Sequence, residues 1–218
     1  MGRVRHPQRL AVWVAAVALL STIAYVGRAV EGQPERDLLY RYDTAVAGAV
    51  QYAILFGIVI ALAVERFDLL ALRRPRSWLR ALGLAFGVVV AVFVANAALE
   101  PFLHAGREQG YTPPAWDPGK AHQYAANFVV IALVAPIVEE LLFRGLGYSL
   151  LEQFGRWPAI VVVGIAFAAV HGLVDGFLVL ALFGGALAWL RARTGSVIPG
   201  MLVHGTFNAI ALIAAVAT

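Results

Sequence analysis

The chain has 218 residues, 61% hydrophobic and 14% charged, where an ordinary soluble domain runs at about 45–50% apolar and roughly 25% charged. A soluble globular protein is thereby excluded. Each bilayer crossing takes about 20 apolar residues, so this length holds about six to eight spans and no separate soluble domain. Seventeen basic against thirteen acidic side chains give a net charge of +4, a bias that in so apolar a chain reads as membrane topology. The expected partner is therefore the lipid bilayer and no nucleic acid. The absence of cysteine removes disulfides, thiolate nucleophiles and cysteine-ligated metals.

Apolar runs separated by polar or Pro/Gly-containing breaks predict helices at about 10–27, 45–64, 80–99, 124–150, 158–172, 175–190 and 197–217. The fold class is all-α, a polytopic transmembrane helical bundle of about seven spans. Three arginines ahead of the first run imitate a secretory signal, but more hydrophobic helices follow and no clear small-x-small cleavage site precedes Arg28, so the run reads as a retained span. The break from Glu100 to His122 contains Pro101, Pro113, Pro114 and Pro118, which exclude a continuous helix through it. It reads as an extramembrane loop, placed to act as a lid. The fifth and sixth runs are short and separated only by Gly172-Leu173-Val174. A tilted pair or a partly re-entrant hairpin is the alternative to two full spans. Two parts result: residues 1–122, N-terminal transmembrane helices and extramembrane loop, and residues 123–218, a C-terminal transmembrane core.

With the N-terminus inside, one side collects Arg3, Arg5, Arg9, Arg66, Arg73, Arg74, Arg76, Arg80, Arg156, Arg191 and Arg193. The other collects Arg28, Arg36, Arg41, Arg107 and Lys120. Cytoplasmic loops carry the basic excess, so a cytoplasmic N-terminus and, for seven spans, an outward C-terminus are expected. An even number of spans would move only the C-terminal region.

Ionisable groups inside spans cost about 2.5–3.5 kcal/mol or more and mark functional sites by default. The candidates are Glu139, Glu140 and Arg144 in the fourth run, His171 at the end of the fifth, and His204 with Asn208 in the seventh. At about 100° per residue, Glu140 and Arg144 share one helix face, with the acid ahead of the base, the favoured order for an ion pair. Glu139 is turned away and free to accept a proton. A buried ion pair that only fixes packing explains Glu140 and Arg144 as well, but it leaves Glu139 without a counter-charge. Phe167 stands one turn before His171. His204 and Asn208 present two donors on one face, as an oxyanion hole requires. The alternative is a polar pair joining two helices, a contact that contributes about 0.6 kcal/mol on average in membranes. A carboxylate base, a histidine and a donor pair on three apolar helices together outline a water-activating hydrolase.

In that order, Glu139-Glu140-x-x-x-Arg144, Phe167-x-x-x-His171 and His204-x-x-x-Asn208 resemble the motifs of the CAAX-protease and bacteriocin-processing (CPBP, or Abi) family of intramembrane glutamic-type endopeptidases. The resemblance covers roughly residues 124–210, and the first three helices carry no matching motif. It implies hydrolysis of a peptide bond in a membrane-associated protein or peptide. Glu139 and His171 would activate water, His204 and Asn208 would hold the oxyanion, and Glu140 and Arg144 would organise the site. It also implies no cofactor, although two glutamates and two histidines could in principle bind Zn²⁺. Substrates range from prenylated CAAX proteins to bacteriocins and C-terminal sorting tags. The Arg-rich, Ala-rich composition favours a bacterial plasma membrane and makes prenylated substrates less expected.

Other intramembrane proteases fit poorly. There is no His-Glu-x-x-His, no Gly-x-Ser-x-Gly, and no Gly-x-Gly-Asp at Asp43 or Asp175. Two readings from other classes remain. A catalytically inactive, immunity-type member would bind membrane partners, and a proton-coupled transporter would also carry Glu, Arg and His within spans. Transporters commonly show repeated halves, whereas the polar residues here are confined to the C-terminal half.

Overall fold

The structure is a computed structural model that describes residues 6–32, 34–103, 108, 110, 111 and 113–217. Among the described residues there are seven long helices and no strand. They are α1 (Pro7–Glu31), α2 (Tyr42–Ala63), α3 (Trp78–Leu103), α4 (Pro118–Phe154), α5 (Arg156–Ala169), α6 (Phe177–Thr194) and α7 (Ile198–Val216). Six are long and apolar enough to cross a bilayer; α5, with 14 residues, is the exception. At 1.5 Å per residue α5 extends about 21 Å, short of a hydrocarbon layer of about 30 Å. The protein is an integral membrane helical bundle.

Two expected boundaries shift, for one reason. Helix α3 runs through Pro101 to Leu103, and α4 begins at Pro118 instead of near residue 124. A proline in a final turn costs one hydrogen bond beside carbonyls that the helix end leaves free anyway. A proline in a first turn lacks only a donor the helix does not use. These two prolines therefore bracket the loop between α3 and α4 instead of lying inside it. Helix α5 starts at Arg156, just after Gly155, whose φ of 115° breaks the chain away from α4.

Burial sets the fourth helix apart from the first three. In its most apolar 18-residue window α1 is 6% buried, whereas α4 is 61% buried. Apolar side chains such as Leu19, Ile23, Ile54, Phe86 and Val94 are exposed on α1, α2 and α3, as lipid-facing positions are in a spanning bundle. The core runs from Trp13 through Val59, Leu62, Leu142, Leu146, Phe167 and Leu187, with α4 at its centre.

Helix α4 is not wound uniformly. Residues Val129–Val134 and Glu140–Gly147 are π-helical, with the α-helical turn Ala135–Glu139 between them. Such wider turns are rare and concentrate at functional sites. Glycines bring α5 and α6 into close contact. A Cβ on Gly164 would lie 2.7 Å from the Ala181 carbonyl oxygen, and one on Gly184 would lie 3.0 Å from the Gly164 Cα. Small residues permit this approach between membrane helices. At the opposite end from Arg156, the buried Glu108 carboxylate pairs with Arg28 and accepts hydrogen bonds from the backbone N–H of Val174 (3.2 Å) and Gly176 (2.7 Å). The described part of the loop is thus tied to α1 and to the start of α6. Arg3, Arg5 and Arg107, used in the charge count, lie outside the described residues.

Candidate active site

Glu139 and Glu140 stand where the α-helical turn of α4 passes into its second π-helical stretch. Glu140 is fully buried, and its Oε1 accepts a 2.7 Å hydrogen bond from Arg144 Nη1. The expected pair therefore forms, although the turn that carries it is wider than the α-helix assumed from spacing. The other end of the guanidinium, Nη2, donates to the Gly184 carbonyl at 3.0 Å, and its plane lies 4.3 Å over the Phe167 ring. Arg144 is fully buried as well, so it neutralises the carboxylate away from water and ties α4 to α6.

Glu139 has no cationic partner of that kind. Its Oε1 accepts a 2.6 Å hydrogen bond from the Tyr52 hydroxyl on α2, and its Oε2 lies 3.7 Å from His204 Nε2. Tyr52 is a polar group in the middle of an apolar run. It is a hydroxyl within a span beside Gln51, a signal available in the sequence but not used above. A second phenol belongs to this surrounding: burial pushes the Tyr111 hydroxyl above its ordinary pKa, and the charge of Glu139 adds to the rise. Tyr111 therefore keeps its proton well into alkaline conditions.

His204 links the two carboxylates. Its Nδ1 lies 3.2 Å from Glu140 Oε1 while Nε2 faces Glu139. The ring is held edge-on between Phe167 and Phe183, with centroids 5.6 and 5.2 Å away. Two glycines of α7 admit this approach. A Cβ on Gly200 would come within 2.5 Å of Glu140 Oε2, and one on Gly205 within 2.9 Å of the Ala132 carbonyl oxygen.

Asn208 sits on α7 as expected, but its amide donates at 2.9 Å to the Ile131 carbonyl in the first π-helical stretch of α4. His204 and Asn208 are both engaged with α4. His171, just beyond α5, stacks on Phe167 at 4.7 Å between centroids, the predicted one-turn relation, and its Nδ1 is 2.6 Å from the Phe167 carbonyl oxygen. A carbonyl only accepts, so Nδ1 donates in this bond, which leaves Nε2 outside it. No hydrogen bond joins His171 to either glutamate; Phe167 separates it from His204. Among the described residues no three His, Cys, Asp or Glu side chains form a metal-ligand cluster.

Residues 121–210 match the protein-family model described as type II CAAX prenyl endopeptidase Rce1-like. The match lies in the C-terminal part of the chain and covers less than half of its length. All six candidate residues fall inside this match. No curated protein and no solved structure gives a match. Tyr52 and Trp13, which touch α4, lie outside the matched range.

Proposed function

We propose that the protein is an intramembrane endopeptidase that hydrolyses a peptide bond of a membrane-associated protein or peptide. One observation supports this best. Of two adjacent carboxylates, Glu140 is neutralised by Arg144, while Glu139 is held by an uncharged phenol and faces an imidazole. Two adjacent acids in such different surroundings can divide the work, one as a fixed ion pair and the other as the base.

In this reading Glu139 takes a proton from water as the oxygen attacks the scissile carbonyl carbon. His171 assists through its Nε2. The resulting tetrahedral oxyanion accepts hydrogen bonds from His204 and Asn208. Its collapse breaks the C–N bond, and the proton on Glu139 passes to the leaving amine, so the base is restored. Asn208 would exchange its bond to Ile131 for one to the oxyanion. Glu140 and Arg144 hold His204 and α4 in place without exchanging protons.

No metal is required in this scheme, because Glu139 takes the proton from water and side-chain donors hold the oxyanion. A strong chelator should leave turnover unchanged. Metal-restorable loss would instead make the site a zinc centre.

The protein would act in a bacterial plasma membrane with its N-terminus in the cytoplasm. The Asn208–Ile131 bond favours one second reading, an inactive member that binds membrane partners, since that amide already ties α7 to α4. The deciding experiment compares, by mass spectrometry, membrane-protein termini in cells carrying the wild-type chain or Glu139→Gln at equal abundance. A defined set of termini lost with the glutamine supports the peptidase; identical sets support partner binding.

A further inference from the structure

We propose that Tyr52 is a positioning residue of this site, directing which oxygen of Glu139 acts as base; the proposal rests on the peptidase reading above. Glu139 projects from α4 with little to fix it. It is 7% exposed; the Tyr52 hydroxyl hydrogen-bonds to it, the His204 ring approaches at 3.7 Å, and the Tyr111 phenol and Arg144 lie in its wider surroundings. A carboxylate with a free χ3 presents either oxygen to its surroundings. The Tyr52 hydroxyl removes that freedom by donating to Oε1 at 2.6 Å, which turns Oε2 toward His204 Nε2. Charge-assisted O–H···O⁻ bonds of this length are the strong ones.

The donor's origin matters as much as its length. Tyr52 lies on α2, 87 residues away in sequence and outside the Rce1-like match. The oxygen held by Tyr52 is engaged by a neutral donor, so the carboxylate keeps its charge and its second oxygen remains available to water. A cation at that place would do what Arg144 does for Glu140 and cancel the charge of the base. A phenol orients the group and leaves its charge intact. A base fixed within a few tenths of an ångström is worth more in the transition state than in substrate binding, so its loss should appear in kcat and not in KM.

The test uses the full-length protein in lipid nanodiscs. The probe is a peptide spanning a cleavage site found by the comparison of wild-type and Glu139→Gln termini. Tyr52→Phe keeps the ring and removes the donor. The expected result is a kcat about 10- to 100-fold lower, the range for losing one hydrogen bond to a charged group, with KM within about twofold and the melting temperature nearly unchanged. A carboxyl band that Glu139→Gln deletes from the infrared spectrum should shift in Tyr52→Phe, a readout that needs no substrate.

Unchanged kcat, or equal loss of folded protein and activity, would reduce Tyr52 to packing while the peptidase reading stands. If Glu139→Gln alters no termini, the peptidase reading fails and takes this proposal with it.

Discussion

Trp13 donates a 2.9 Å hydrogen bond from its indole N–H to the carbonyl of Leu142, joining the first helix to the turn of α4 that follows the two glutamates. The indole also lies over Gly147, where a Cβ would come within 2.5 Å of the ring. The rest of α1 is largely exposed. Trp13 is thus a principal anchor of a weakly packed helix.

Replacing Trp13 with Phe keeps an aromatic ring and removes the indole donor that ties α1 to the Leu142 carbonyl. The cost should be about 0.5–1.5 kcal/mol. Thermal unfolding in detergent should show the lower midpoint. A midpoint equal to the wild type would show that the carbonyl finds another donor.

Arg144→Ala should lower the folded amount sharply, because it strands the buried Glu140 carboxylate; breaking such a pair costs about 3–5 kcal/mol. Removing both charges together, as Glu140→Gln with Arg144→Met, should recover much of the loss. Membrane abundance and a double-mutant cycle measure both effects. Normal accumulation of the single variant would mean that the pair contributes nothing to folding.

Gly200→Ala tests the space beside the same carboxylate. The added methyl would meet Glu140 Oε2 at 2.5 Å, and Glu140 cannot swing aside while Arg144 and His204 hold its other oxygen. Overpacking of this kind costs about 1–3 kcal/mol. Turnover should fall too, since α7 must move and carries His204 and Asn208 with it. An unshifted melting temperature with full turnover would contradict the close approach of α7 to α4.

Orientation can be read from single cysteines, because the chain has none of its own. Ser77→Cys, before α3, should react with an impermeant maleimide only after permeabilisation, and Ala115→Cys, in the loop between α3 and α4, should react in intact cells. The reverse pattern would put the N-terminus outside and overturn the charge-based topology.

Much of the architecture was legible in the sequence because lipid imposes a simple code. Backbone groups without water must bond internally, so spans are helices, and their apolar runs stand out. Seven runs were expected, and seven helices form. Pro101 and Pro118 misled about boundaries because their effect depends on position within a turn, which composition does not show. The Glu140–Arg144 pair was visible because the two residues are close in sequence.

Which groups meet Glu139 was decided by tertiary structure. Spacing set Glu139 apart from Glu140, but whether it would face lipid, water or a partner depends on how α2 and α7 pack against α4. Tyr52 and His204 reach it from 87 residues before and 65 after in the chain, and local periodicity carries no information over such separations. The π-helical turns of α4 likewise follow from packing, since Glu140–Gly147 is buried along its whole length and its winding answers to neighbours such as Trp13. The sequence determined that a carboxylate, a pair of histidines and an amide would be embedded in a membrane bundle. Packing between distant helices determined that one acid is neutralised and the other is left with a phenol and an imidazole, because burial makes a charge depend on its few nearest partners.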